Sequence, residues 1–139
     1  SHTMFRVNSS IFGCLAQAMD GSASAASSVY VLYYLRGEKT TGHEELCIEG
    51  LSVGYGARPF SDGLDAVYYV AQENYPIEFS ETEFGINIER FGLNMDSGGP
   101  GRYRGGCGIY RDIRVHLEDA TLGVRIDNCK FPCKFLNAL

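Results

Sequence analysis

No apolar run in this chain approaches the ~20 residues that a membrane-spanning helix needs. The longest, Val29 to Leu35, is seven residues and is interrupted by tyrosines. No segment has the charged, apolar, small-residue layout of a signal peptide. Basic charge is short as well: 12 lysines and arginines stand against 17 acids, a net charge of −5. That argues against a nucleic-acid footprint. Internal repeats and low-complexity tracts are absent. Histidine is scarce, and one of the three lies in Ser1-His2-Thr3, which reads as a vector remnant before Met4. These absences lead to the expectation of a soluble cytoplasmic protein with one domain over residues 4–139, long enough to bury a core.

The two common nucleotide signatures are also missing. A P-loop needs Lys-Ser or Lys-Thr directly after its last glycine. Here Gly101 is followed by Arg102-Tyr103 and Gly106 by Cys107. A dinucleotide fingerprint starting at Gly99 would need glycine where Arg104 stands. The five cysteines (Cys14, Cys47, Cys107, Cys129, Cys133) are odd in number and irregularly spaced. Only Cys129 and Cys133 form a close pair, half of what a zinc ribbon requires. Reduced thiols, several of them buried as small hydrophobes, are expected.

What the sequence does have is glycine, concentrated in Asp96-Ser-Gly-Gly-Pro-Gly-Arg-Tyr-Arg-Gly-Gly-Cys-Gly108. Glycine loses more backbone entropy on folding than any other residue, so such a run needs a geometric reason. Two jobs fit. The run is an anion-binding loop, with Gly98, Gly99 and Gly101 presenting N–H groups beside Arg102 and Arg104. Alternatively it is tight structural backbone that packs against another layer. We favour the second. A second glycine loop, Gly54 to Gly63, carries Arg58 and Asp62.

Periodicity gives the rest of the fold. Ile11, Phe12, Leu15, Ala16 and Met19 predict a helix over 8–19, capped by Asn8 or Ser9. Val29 to Leu35 has the composition of a strand buried on both faces. His43 to Leu51 alternates, with Leu46 and Ile48 opposite to Glu45, Cys47 and Glu49, and completes a hairpin. Leu64 to Ala71 is ambiguous between strand and helix. Asn74-Tyr75-Pro76-Ile77-Glu78 predicts a helix start, with Glu78, Glu81 and Glu83 favourable near its positive end. A strand follows over 86–93 with Ile86, Ile88 and Phe91 inward. Alternation over 113–117 and 122–126, separated by Glu118 to Thr121, predicts a further hairpin. The fold class is therefore α+β: a strand-rich single domain with antiparallel hairpins, an N-terminal helix and a short middle helix.

No complete catalytic constellation emerges from the residues. His43 and His116 read as surface histidines on or beside strands. Ser97 lies in Asp-Ser-Gly-Gly, not in a nucleophile elbow. Cys107, flanked by glycines and near two arginines, is a candidate for a lowered thiol pKa, against the plainer reading of a buried inert thiol. Asp62, Asp65, Glu78 and Asp96 gather around the glycine loops without metal-ligand spacing. They are expected to order the loops by pairing with Arg58, Arg102 and Arg104. In extended backbone, Arg102 and Arg104 would project to one side and Tyr103 to the other.

Three motifs together resemble the hydantoinase B/oxoprolinase family: Gly54 to Gly63 (GYGARPFSDG), Asn74 to Glu78 (NYPIE) with Glu81, and Asp96 to Gly108. Arg111 and Lys130-Phe131-Pro132 extend the resemblance, which covers roughly residues 5 to 132 and corresponds to the C-terminal part of a large chain. The resemblance implies a component of ATP-dependent enzymes. Such enzymes open cyclic amides (hydantoins, 5-oxoproline, lactams) or carboxylate ketones, with ATP activating a carbonyl oxygen. It implies as partners a hydantoinase A-type ATP-binding subunit and the N-terminal portion of a B-type chain, with ATP and a divalent metal belonging to those chains. No metal ligand or catalytic residue carries over to this one. The family continues past Lys-Phe-Pro with Pro-Trp-Gly, whereas this chain has Cys133 to Leu139 there. The expected role is that of a small subunit or fragment that shapes the site or the subunit interface. The rival is a stand-alone oligomerising or small-ligand-binding module that kept the fold without the reaction.

Overall fold

The computed structural model describes residues 2–19, 23–27, 31–68 and 73–126. Among them lie helix α1 (His2–Ala18), strands β1 (Val31–Glu38) and β2 (Glu44–Leu51), helix α2 (Ile77–Glu83), and strands β3 (Ile86–Leu93), β4 (Ile109–Val115) and β5 (Glu118–Arg125). The strands form two antiparallel sheets, one ordered β2-β1-β5 and the other β3-β4. The α+β class, the N-terminal helix and the short middle helix agree with the sequence.

β1 and β2 form the predicted hairpin, with Tyr34 opposite Ile48 and Leu35 opposite Cys47. Its inner face carries the core. Tyr33, Leu35 and Cys47 are buried with Ile86 and Leu117, and Leu51, Phe84 and Ile113 pack against them. At ~1.5–3 kcal/mol per fully buried large side chain, this cluster is the largest apolar core among the described residues. β1 is not buried on both faces: Tyr33 and Leu35 point in while Tyr34 is exposed. On β2 the burial runs against hydropathy. Cys47 and Glu49 are inside, and Leu46 and Ile48 are about half exposed. The reason is the ion pair described below, which only the inner face can supply.

The second correction concerns the predicted hairpin over 113–126. β4 pairs with β3, and β5 pairs with β1 in the other sheet. Leu117, buried between the two strands, marks where the chain crosses. The polar segment Glu118 to Thr121 is no reversal. It lies inside β5 as a β-bulge opposite Gly37, with Asp119 at φ 46°. Its turn-like composition reflects that one left-handed residue.

α1 extends past its predicted start to include His2 and Thr3. Phe5 is its buried anchor, while Phe12 and Met19 remain exposed. α2 begins just after Pro76, which supplies no side-chain cap, and Glu78 sits in its first turn. On β3, Ile86 is buried but Phe91 is 41% exposed. Of the ambiguous segment 64–71, the described part is irregular and is pinned by a bridge between Val67 and Val53. The thiols Cys14, Cys47 and Cys107 are unpaired. Cys129, Cys133 and Lys130-Phe131-Pro132 lie outside the described residues. No described helix is long and apolar enough to cross a membrane.

Candidate functional site

The two glycine loops meet backbone to backbone. A Cβ on Gly54 would lie 1.9 Å from the Gly106 carbonyl oxygen, and one on Gly106 would lie 1.9 Å from that of Leu64. Gly63 and Gly98 are equally confined, by Tyr55 O at 2.1 Å and Gly105 O at 2.1 Å. Close approach, not positive φ, is what these positions require: among the described glycines only Gly42 has φ in the left-handed region. The packed loops are laced by backbone hydrogen bonds. The Gly63 N–H donates to Arg104 O at 2.7 Å, that of Gly106 to Tyr55 O at 2.8 Å, and that of Ala66 to Cys107 O at 2.9 Å.

Asp65 closes the run. Its Oδ1 accepts from the Cys107 N–H at 2.7 Å and from Arg104 Nη1 at 2.9 Å, and its Oδ2 accepts from Nη2 at 3.1 Å. The side-by-side pair of guanidinium bonds is the geometry that makes arginine–carboxylate contacts strong. Arg104 first, and the Cys107 N–H second, hold the Asp65 carboxyl well below the usual carboxylate range. Asp62 adds a bond from the Arg104 backbone N–H to its Oδ1 at 2.9 Å. Gly99 O accepts from the Gly105 N–H at 2.8 Å, closing the loop on itself.

The predicted residues therefore divide. Asp62, Asp65 and Arg104 converge. Arg102 does not share a side with Arg104: residues 101–103 bend instead of extending, and the Arg102 guanidinium lies 5.6 Å from the Tyr103 ring centre. Arg58 stacks over Phe60 at 5.5 Å and donates to the Asp62 carbonyl, not to a carboxylate. Glu78 and Asp96 form no ion pair among the described residues; Asp96 sits in a turn with φ 59°. Gly101 is exposed, with Tyr103 O 3.0 Å from where a Cβ would stand. Ser97 is a turn residue, its Oγ donating to Asn94 O and accepting from the Gly108 N–H. His116 pairs with Asn87, and His43 is exposed beside the β1–β2 turn. Cys107 is buried and lies 3.7 Å from Arg104 Nη1.

A second polar cluster escaped the sequence reading. Glu49 on β2 and Arg111 on β4 form an ion pair whose side chains are 3% and 0% exposed. Tyr33 on β1 donates to Glu49 Oε2 at 2.8 Å. The remaining carboxylate oxygen accepts from the Tyr75 N–H at 3.1 Å and Asn74 Nδ2 at 3.3 Å. Asn74 Nδ2 also donates to Gly50 O at 2.7 Å, and its Oδ1 accepts from Ser52. Among the described residues, Arg111 Nε and Nη2 have no hydrogen-bond partner. The Phe91 ring, centred 4.7 Å from the guanidinium carbon, faces the group instead. Burial first, and then Glu49, raise the Tyr33 phenol above its ordinary range. The same two causes, in the same order, push the Cys47 thiol up to about 11. The Asn-Tyr-Pro motif thus serves to hold a buried carboxylate. Its signal in the sequence was Glu49, set between Ile48 and Gly50 away from the exposed start of its strand, matched by Arg111 on another.

Two antiparallel sheets joined by a buried ion pair, with two glycine loops packed backbone to backbone, define a small α+β module. The profile of the hydantoinase B/oxoprolinase family matches residues 1–137, and the chain belongs to that family. No curated protein matches it.

Proposed function

We propose that this chain is a component of an ATP-dependent complex of the hydantoinase/oxoprolinase or ketone-carboxylase type, and that it shapes the site or a subunit interface. The observation that carries this reading is how the family-like motifs are used. Asp62, Asp65, Arg104 and the glycines are engaged with one another, and Asn74 and Tyr75 with Glu49. Groups neutralised internally build a scaffold; they do not wait for a substrate.

In this reading ATP and a divalent metal belong to partner chains: a hydantoinase A-type ATP-binding subunit and the N-terminal portion of a B-type chain. Native mass spectrometry of the chain mixed with such partners tests it. A hetero-complex is expected, with ATP-dependent turnover that needs this chain. Failure to associate with either partner would favour the stand-alone module.

A further inference from the structure

β5 ends its sheet: among the described residues no strand lies beyond it. An edge of this kind presents unpaired N–H and C=O groups and is a template for another strand. Natural edges are usually short or charged, yet here Leu122 and Val124 stand 61% and 51% exposed on the face that continues the core of β1. Val124 is the register partner of buried Tyr33, and Leu122 that of buried Leu35. Among the described residues, the core face therefore runs out to the edge and is left open there.

The charges along the edge have a two-fold pattern. Measured against β1, Leu122 stands opposite Leu35. Arg125 stands opposite Leu32, three positions to one side, and Glu118 opposite Glu38, three positions to the other. The bulge keeps Glu118 on the same sheet face as Arg125. Neither side chain forms an ion pair among the described residues. Glu118 instead ends a row of three carboxylates across the sheet, Glu44 beside Glu38 beside Glu118. Arg36 bonds Glu44 at 2.7 Å, but neither Glu38 nor Glu118 has a cation among the described residues, and like charges opposite each other are unfavourable until one joins them.

We propose that β5 is a self-association edge, and that its partner is a second copy of this chain. A two-fold axis perpendicular to the sheet at Leu122 pairs β5 antiparallel with its copy. Leu122 then meets Leu122 of the copy, Thr121 faces Gly123, and Arg125 lands opposite Glu118 at both ends. An axis of this orientation leaves the faces of each sheet unexchanged, so the open apolar faces join into one. The result is a six-stranded sheet, β2-β1-β5-β5-β1-β2, in which each acidic row ends on an arginine. A strand from an unrelated partner would satisfy the backbone but has no reason to match these spacings.

Sedimentation equilibrium of the full chain, taken up to about 1 mM because a single edge is a small interface, tests the proposal. The wild type should approach twice its 15.3 kDa mass as concentration rises. Glu118→Arg places like charges opposite each other at both ends, and Arg125→Glu does the same. Each should stay monomeric. The double variant Glu118→Arg/Arg125→Glu restores the complement and should dimerise again, which separates lost pairing from lost folding. A wild type that stays at monomer mass across the range overturns the proposal. So does a dimer that survives Glu118→Arg, as one formed elsewhere would, or a double variant that fails to recover.

Discussion

Substituting Gly106 by alanine puts the packing of the two glycine loops under direct test. The new Cβ would stand 1.9 Å from Leu64 O and 2.4 Å from Leu64 C, both backbone atoms that no rotamer change can move. Restoring an ordinary contact needs a shift of more than about 1 Å in one loop, since Cβ atoms rarely approach a carbonyl closer than ~3 Å. That shift pulls on the Gly106 N–H bond to Tyr55 O and on the Ala66 N–H bond to Cys107 O. It also pulls on the Cys107 N–H bond to Asp65. At about 1 kcal/mol for each bond weakened, the cost is about 2–4 kcal/mol. For a domain of this size that is a fall of roughly 8–15 °C in Tm. Gly54→Ala meets Gly106 O from the other side at 1.9 Å and should behave alike. Gly108→Ala is the control: its nearest neighbour would be Ser97 Oγ at 3.9 Å, so a change within about 0.5 kcal/mol is expected. Gly37 is no surface control, because a Cβ there meets the Leu117 Cβ at 2.6 Å. Equal melting of Gly106→Ala and Gly108→Ala would show that the loops are not packed as described.

The buried ion pair gives a second expectation: Arg111→Ala leaves Glu49 charged and enclosed, and chemical denaturation should show a loss of about 3–5 kcal/mol. Gly13, with open space around it in α1, should gain about 0.5–1 kcal/mol on mutation to alanine, read by the same assay. Cys47 has a folded-state pKa raised from 9.0 to about 11. The stability from its neutral form is complete below pH 9 and is lost as pH rises toward 11. At pH 8 its thiolate fraction is roughly a hundredfold below that of an ordinary thiol, so alkylation of the native protein should label exposed Cys14 long before Cys47. Asp65 has the opposite sign. Its depressed pKa stabilises the fold above its ordinary value of 3.8, and that stabilisation is lost as pH falls below it. The difference in Tm between wild type and Asp65→Asn should therefore shrink between pH 4 and pH 2.

The fold class and the helices were legible because they depend on composition and local period. The inner face of β2 was not. Hydropathy favours Leu46 and Ile48 inside, and Glu49 can be buried because distant groups (Arg111, Tyr33, Asn74 and the Tyr75 N–H) bond it. The hairpin predicted over 113–126 failed for a related reason. Alternation identifies strands but not their partners, and a left-handed Asp119 inside a bulge has the composition of a turn. In the glycine run, glycine content showed a geometric need but not whether it was positive φ or close approach, while Asp62 and Asp65 were legible as loop-ordering acids. Which arginine they hold was not legible. It depends on the bend at 101–103, which turns Arg102 onto Tyr103 and leaves Arg104 to the carboxylates.

If the run from Asp96 to Gly108 is a scaffold closed by Asp65 and not an anion receptor, phosphate should not stabilise it. Melting the wild type and Arg104→Ala with and without phosphate tests it most directly. Arg104→Ala should melt lower by the same margin in both buffers, and phosphate should add nothing specific to the wild type. A wild-type gain that grows with phosphate concentration by mass action, and vanishes in Arg104→Ala, would contradict it and make the run a binding site.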